Sequence, residues 1–345
     1  MEIPVSNIYY ILCYAWDKLE EADKAGVSAS DYEDAINLFA RVLVNGSRQL
    51  FKRGLEHSYR DVSEEYIGIK GKLNFKESLN RNLFKQGRSV CEFSQFDNNN
   101  LQNQLLKATL ATLLRTDGLE KDLRLEIRDC CWRFPGVSDI DPAIHLFSQI
   151  RIHRNNSFYD FLLHICKLIL ENIVLDERTG RYQFKEFVRE EKAMARLFEE
   201  FVRNFYKKEQ SVFSVRREDI DWFVTPLGES TRQFLPKMQT DLTLESKTRK
   251  IIVETKYYKE ALSTRFETEK FKSHNLYQLY SYLRNIENSE SHGMNPGCEG
   301  ILLYPTVNYR LDERYDMLGH KVKVCTVDLS KDWRSIELEL LSLLN

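Results

Sequence analysis

The stretch MQTDLTLESKTRKIIVETKYYK, residues 238–259, has the pattern of two short apolar strands joined by a polar turn. The apolar residues pair correctly in one register only, because a slip of one residue moves every side chain to the opposite face of the sheet. In that register the hairpin turns at 247–248 and Leu242 faces Val253. The stretch therefore predicts a tight antiparallel hairpin.

The same register places charged residues where a sheet would favour Val or Ile. Asp241 is predicted to face Glu254, with Cβ atoms about 4.5–5.5 Å apart, and Lys256 projects to the same side as Glu254. Two carboxylates this close destabilise a sheet unless a cation neutralises them, and Mg²⁺ binds one or two carboxylates plus waters and phosphate oxygens. An ammonium group there can orient a water or balance phosphate charge. The alternative is a surface salt bridge between Asp241 and Lys256.

Composition predicts an ordinary two-domain protein of 345 residues, 42 % hydrophobic and 30 % charged. A net charge of −2 means that any DNA contact must come from a local basic patch. Seven cysteines without a CxxC pair predict free, mostly buried thiols in a reducing compartment. The N-terminus lacks a signal-peptide pattern, and no apolar run approaches the ~20 residues of a membrane span. We expect a cytoplasmic protein without a membrane anchor.

Apolar periodicity divides the chain into two domains, 1–180 and 181–345, with the boundary in the polar stretch 175–184. The first is helix-rich with a small strand-rich insert between 57 and 96. Its predicted helices are 7–20, 32–54 (ending at Gly54), 100–116, 119–132 and 157–175.

The second domain is predicted to be a mixed sheet flanked by helices, an α+β or α/β fold. An amphipathic helix is predicted within the segment 186–209, with Met194, Phe198 and Phe201 on its apolar face. The other predicted elements are strands at 212–216, 238–246, 250–257, 300–305 and 321–329, and helices at 274–287 and 332–344.

Two patterns in the chain resemble known families. Asp241 followed by Glu254-Thr255-Lys256, and then Gln278-x-x-x-Tyr282, resembles the PD-(D/E)xK nuclease signature in its RecB-type form. The chain is also similar to the McrC family, the nuclease subunits of McrBC modification-dependent (type IV) restriction systems. The similar stretches are PVSNIYYILCYAW, GIKGKLNF, LFEEFV, PKMQTDLTL, ETKYYK, TEKFKSHNLYQLYSYL and GILLYP.

The resemblance implies an αβββαβ nuclease core and a DNA endonuclease that uses Mg²⁺, with Mn²⁺ as a possible substitute. Lys256 would be the catalytic lysine, and Gln278 and Tyr282 would orient it or contact the DNA backbone. Metal would be bound by Asp241, Glu254, the Thr255 carbonyl and Glu199, unless Glu199 simply lies on a solvated helix face. Thr240 stands where the signature has proline, and the second acid is Glu254 where many McrC proteins have Asp; the signature permits both variations, but the longer Glu side chain changes the metal geometry.

The resemblance also implies a partner and a substrate. The partner would be a McrB-like AAA+ GTPase hexamer whose GTP hydrolysis this chain stimulates. The substrate would be methylated or otherwise modified double-stranded DNA, and the complex would serve in antiviral defence. GTP would act only through the partner, since no GxxxxGK[ST] or GxGxxG motif occurs here. The segment 66–96 is the candidate for insertion into the partner, unless it is a plain hairpin. Its candidate contacts are Lys70, Lys72, Lys76 and Arg81.

Basic residues after the hairpin are candidates for DNA contacts, because Lys and Arg bind phosphates without regard to sequence. Nearby acids dilute their charge, so a solvated loop remains an alternative. Two other functions stay open: a non-catalytic activator of the motor with a vestigial nuclease site, and a stand-alone RecB-like exonuclease. The candidate DNA contacts are Lys259, Arg265, Lys270 and Lys272.

Overall fold

A computed structural model describes the greater part of the chain as two compact units. The sheet unit comprises Met1–Leu19, Ala29–Glu33 and Glu186–Asn345, and the helical unit comprises Glu20–Ser28 and Asp34–Lys185. The described residues are 3–151, 156–176, 178–185, 190–227, 232–257, 263–265, 268–287, 297–306 and 310–345, with the backbone alone for 60, 263–265 and 268–270.

Both units contain helices and strands. The helices are α1 (Val5–Ala15), α2 (Leu19–Ala25), α3 (Ala35–Arg53), α4 (Phe75–Asn80), α5 (Leu101–Leu114), α6 (Lys121–Trp132), α7 (Ser157–Glu171), α8 (Glu191–Glu209), α9 (Ser273–Glu287) and α10 (Trp333–Ser342). The strands are β1 (Ser58–Ile67), β2 (Lys72–Leu73), β3 (Arg88–Asp97), β4 (Ile173–Asp176), β5 (Arg181–Phe184), β6 (Ser214–Arg216), β7 (Asp219–Ile220), β8 (Met238–Gln239), β9 (Leu242–Glu245), β10 (Lys250–Thr255), β11 (Ser263–Arg265), β12 (Thr268–Lys270), β13 (Glu299–Thr306), β14 (Asp312–Met317) and β15 (His320–Asp328). None of the described helices has both the length and the apolar character needed to cross a bilayer.

The helical unit is built around α3, which packs against α6 and α7. The helix begins after Asp34, whose carboxylate accepts the Asn37 N–H at 2.9 Å, and ends at the predicted Gly54, whose φ of 90° favours glycine. α3 and α7 approach closely at Gly46, where any side chain would overlap Leu162. The predicted helix 32–54 is therefore confirmed.

The predicted strand-rich insert is a small antiparallel sheet in the order β1-β3-β2. The register of its long pair runs from Ser58 opposite Asp97 to Ile67 opposite Arg88. The insert exposes several large apolar side chains, namely Tyr59, Ile67, Ile69, Phe75 and Phe96.

The region around the predicted domain boundary differs from the prediction. The helix predicted over 157–175 ends at Glu171, and the polar stretch forms the β4–β5 hairpin. The Tyr182 N–H donates to the Arg115 carbonyl at 3.0 Å, just after α5. This backbone pairing, between residues far apart in sequence, assigns the hairpin to the helical unit.

The sheet unit contains a six-stranded mixed sheet in the order β14-β15-β13-β10-β9-β6. β10, β13 and β15 run parallel, while β6, β9 and β14 are antiparallel to their neighbours. On one face Ile252 and Leu302 pack with Leu279 and Leu283 of α9, and α8 also contacts β10. The predicted mixed sheet flanked by helices is confirmed, with β14 as an unpredicted edge strand.

The first helix, α1, belongs to the sheet unit and not to the N-terminal domain in which it was predicted. Although α1 was assigned to 1–180, it packs on α8 in the sheet unit. Asn7 Nδ2 donates to the carbonyls of Leu329 and Lys331 at 2.8 and 2.7 Å, and Tyr14 Oη donates to Glu209 at 2.6 Å. The Asn7 bonds join the first helix to the C-terminal part of the chain, and the Tyr14 bond joins it to the end of α8, so a single boundary along the sequence cannot describe the units.

Candidate active site

The β9–β10 hairpin has the predicted register. Leu244 pairs with Ile251 and Leu242 with Val253, and the Ser246 N–H donates to the Arg249 carbonyl at 2.8 Å, closing the turn at 247–248. All four paired residues are buried. Leu242–Val253 is the last pair of the ladder, so Asp241 lies one residue beyond it.

Asp241 contacts both residues that follow Val253. Its N–H donates to Glu254 Oε1 at 3.2 Å, and its Oδ2 accepts the Thr255 N–H at 2.8 Å and the Thr255 hydroxyl at 2.9 Å. The predicted proximity of Asp241 and Glu254 is confirmed, but the carboxylate of Asp241 binds Thr255 rather than standing opposite Glu254 in a regular pair. Since the N–H and C=O of a strand residue point to the same side, the Thr255 carbonyl lies on the same edge of β10 as the N–H that donates to Asp241.

Glu254 is a buried carboxylate that forms an ion pair with Lys256. Its side chain is 0 % exposed, and Lys256 Nζ, on a side chain 17 % exposed, donates to Glu254 Oε2 at 2.9 Å. Burial, reinforced by the charge of Asp241, raises the pKa of Glu254 to about 7 despite the lysine. One ammonium therefore does not compensate the negative charge that this pair of acids would carry.

The α9 residues Gln278 and Tyr282 support the segment that leads into Asp241. Gln278 Nε2 donates to Tyr282 Oη at 2.8 Å, and Tyr282 Oη donates to the Gln239 carbonyl at 3.1 Å. Burial raises the pKa of Tyr282, and the charges of Glu254 and Asp241 add to the effect. The phenol is therefore a neutral donor close to the two acids.

Glu199 of α8 lies beside Asp241 but contacts two arginines. Glu199 Oε1 accepts from Arg203 Nη1 at 3.2 Å and from Arg217 Nη2 at 2.8 Å. Burial and the nearby Asp241 raise the pKa of Glu199. Within the described part of the chain, no three His, Cys, Asp or Glu side chains are grouped so as to hold a metal ion. The role of Glu199 as a metal ligand stays a prediction.

Arg203 and Arg217 were not among the predicted site residues. The spacing of Glu199 and Arg203, four residues apart on a helix, was a signal for their ion pair. Arg217 gave no such signal, because its contact depends on where β6 joins the sheet.

The predicted partner contacts lie on the small sheet of the helical unit and next to it. Lys70 Nζ lies 3.9 Å from the centroid of the Phe93 ring, and Lys72 pairs with Glu92 at 3.5 Å. Lys76 is exposed, and Arg81 pairs with Glu77 within the same helix turn.

For most of the predicted DNA contacts the position of the side chain lies outside the described part of the structure. Lys259 lies outside the described residues, as do the side chains of Arg265 and Lys270. Lys272 is half-buried just before α9. The seven cysteines are free, and six of them are buried, as predicted.

Comparison with known proteins identifies the family. The model of the McrBC 5-methylcytosine restriction system component family matches residues 7–305. The chain belongs to this family. It is 35 % identical over 343 residues to the type IV methyl-directed restriction enzyme EcoKMcrBC of Escherichia coli K12, covering 99 % of this chain and 97 % of that protein. The predicted relation to McrC is confirmed.

A solved structure supports the fold. The chain superposes with a TM-score of 0.59 and 15 % identity on a chain of the half-complex from the tetradecameric assembly of Thermococcus gammatolerans McrB AAA+ hexamers with bound McrC. The match covers 99 % of this chain and 76 % of that one.

Proposed function

We propose that this chain is the metal-dependent DNA endonuclease subunit of a McrBC-like modification-dependent restriction complex. The observation that carries the proposal is the arrangement of Asp241 and Glu254 around the Thr255 backbone, with Lys256 Nζ 2.9 Å from Glu254. The proposal is also supported by the order of the elements α8, β6, β9, β10, α9 and β13, which is αβββαβ when the separate two-stranded pairs β7–β8 and β11–β12 are left aside. Family membership supports the restriction role.

The donor set fits Mg²⁺, with Mn²⁺ as a possible substitute. Asp241, Glu254 and the Thr255 carbonyl would hold the ion, since hard divalent cations bind oxygen ligands and complete their shell with water. The raised pKa of Glu254 supports this fit, because burial and the neighbouring Asp241 outweigh the charge of Lys256, and a bound cation would favour the ionised carboxylate. A bound divalent ion would make a water more acidic and neutralise charge on the phosphate.

The remaining side chains of the site have positioning and charge roles in this proposal. The Lys256 ammonium, held by Glu254, can orient an attacking water or balance charge on the scissile phosphate. Tyr282, itself bonded to Gln278, fixes the Gln239 carbonyl two residues before Asp241. The catalytic hairpin is therefore held from α9.

The proposed partner is a McrB-like AAA+ GTPase hexamer, as in the complex of the Thermococcus gammatolerans proteins. GTP acts through that partner, because this chain has neither phosphate-binding loop motif. The small sheet β1-β3-β2, with its exposed apolar residues and the cations Lys70, Lys72, Lys76 and Arg81, is the proposed contact that stimulates the GTPase. The proposed substrate is methylated or otherwise modified double-stranded DNA.

The test is digestion of methylated and unmethylated plasmid by the chain co-expressed with its GTPase partner, with GTP and Mg²⁺. Asp241→Asn should abolish cleavage while stimulation of the partner's GTPase is retained. Glu245→Gln, which removes a carboxylate from the far end of the same hairpin, is the control and should cleave normally. Unchanged cleavage by Asp241→Asn would refute the site. If even the wild-type complex stimulates GTP hydrolysis but never cuts, the chain is an activator of the motor only.

A further inference from the structure

Arg203 is a buried arginine that joins α8 to the start of β9. Its side chain is 9 % exposed, and it donates to the Asp241 carbonyl at 3.3 Å through the same Nη1 that contacts Glu199 Oε1 at 3.2 Å. Its Nη2 pairs with Glu200. A guanidinium shared in this way fixes the carboxylate of Glu199 relative to Asp241.

Glu199 in turn holds Arg217, which lies in the short connection between β6 and β7. The next residue, Glu218, exchanges two hydrogen bonds with Thr240: the Glu218 N–H donates to Thr240 Oγ1 at 3.0 Å, and the Thr240 N–H donates to the Glu218 carbonyl at 2.9 Å. The connection therefore runs directly alongside the residue before Asp241. The Arg217 side chain stays 43 % exposed.

We propose that Arg217 binds a DNA phosphate next to the Asp241–Glu254 pair, and that Glu199 and Arg203 are the positioning residues that aim it. This inference rests on the proposed nuclease function. A guanidinium offers five N–H donors in a fixed plane, so contact with one oxygen of Glu199 leaves other donors for a phosphate. Glu199 then acts as an anchor for arginine rather than as a metal ligand.

Arg216, the last residue of β6 and the immediate neighbour of Arg217, provides a matched control. Its side chain is also 43 % exposed, but it pairs with Glu218 and with Glu245 near the turn of the hairpin. Arg216 and Arg217 thus have equal charge and equal exposure but different neighbours. Removal of either changes the net charge by the same amount.

The test compares Arg217→Ala, Arg217→Lys and Arg216→Ala as full-length chains binding a short labelled duplex, with Ca²⁺ in place of Mg²⁺. Arg217→Ala should weaken binding about 3- to 10-fold at low salt and reduce the slope of log Kd against log salt by about one, because one phosphate contact is lost. Arg217→Lys should keep the slope, and Arg216→Ala should match the wild type. Equal effects of Arg217→Ala and Arg216→Ala would overturn the proposal.

The assembled complex gives a second, independent readout. With the GTPase partner, Arg217→Ala should raise KM for methylated plasmid more than it lowers kcat. If the isolated chain binds the duplex too weakly to titrate, this change in KM tests the phosphate contact instead. Glu199→Gln should raise KM without changing the Mg²⁺ concentration for half-maximal cleavage, whereas a metal ligand would change it. If the complex never cuts DNA but the salt slope still falls, the nuclease proposal fails and the phosphate contact stands.

Discussion

Glu254→Gln should stabilise the folded chain at neutral and higher pH while removing a proposed metal ligand. Glu254 is 0 % exposed, and its pKa is raised from 4.5 to about 7. The folded state therefore keeps a proton that the unfolded state releases near 4.5, so this group's stabilisation is fully present below about pH 4.5. It is lost as the pH rises to about 7. Glutamine imitates the protonated carboxyl at every pH.

The size of the effect follows from the difference between the two pKa values. Above about pH 7 the substitution should raise the free energy of unfolding by up to about 3 kcal/mol, at about 1.4 kcal/mol per pKa unit. Near pH 5 the gain should be much smaller. The effect of pH, rather than a single value, is therefore the diagnostic observation.

The assay is urea denaturation of the full chain in EDTA, monitored by tryptophan fluorescence in a Trp132→Phe background. Trp132 is the tryptophan of the helical unit and is 84 % exposed, so its replacement leaves Trp16, Trp222 and Trp333 to report on the sheet unit. The difference in free energy of unfolding between Glu254→Gln and the wild type should increase as the pH rises from about 5 to about 8.

Glu245→Gln is the control for this experiment. It removes a carboxylate from the same hairpin but also breaks the ion pair with Arg216, so it should not stabilise the protein. A Glu254→Gln variant whose stability relative to the wild type is the same at every pH would refute the reasoning about the buried pair.

Two further substitutions test the supporting contacts. Lys256→Met should reduce plasmid cleavage by the complex about 10²- to 10⁴-fold, because it removes the ammonium held by Glu254; full activity would show that the lysine has no part in the reaction. Tyr282→Phe removes the hydrogen bond to the Gln239 carbonyl and should lower the free energy of unfolding of the sheet unit by about 1 kcal/mol in the urea assay. An unchanged value would mean that this bond does not support the hairpin.

The register of the hairpin was predictable because the pairing that turns at 247–248 places Leu244 opposite Ile251 and Leu242 opposite Val253, and a slip of one residue would lose both apolar pairs. The irregular position of Asp241 was not. Thr240 is bonded to Glu218, which is 22 residues earlier in the sequence, and this contact belongs to the arrangement of β6 beside β9. A pattern confined to one hairpin contains no information about it.

Contacts between distant segments explain the other differences. Asn7 bonds to Leu329 across 322 positions of sequence, so the docking of α1 on the sheet unit could not be derived from local periodicity. Arg203 was visible as a helical partner of Glu199, but its bond to the Asp241 carbonyl depends on the packing of α8 against the sheet.

The most direct measurement is a titration of the full chain with Mn²⁺, monitored by electron paramagnetic resonance at a pH above the pKa of Glu254. The wild type should bind one ion that Mg²⁺ displaces, Asp241→Asn should lose it, and Glu245→Gln should retain it. Equal binding by all three proteins, or none by the wild type, would contradict a metal site at Asp241 and Glu254.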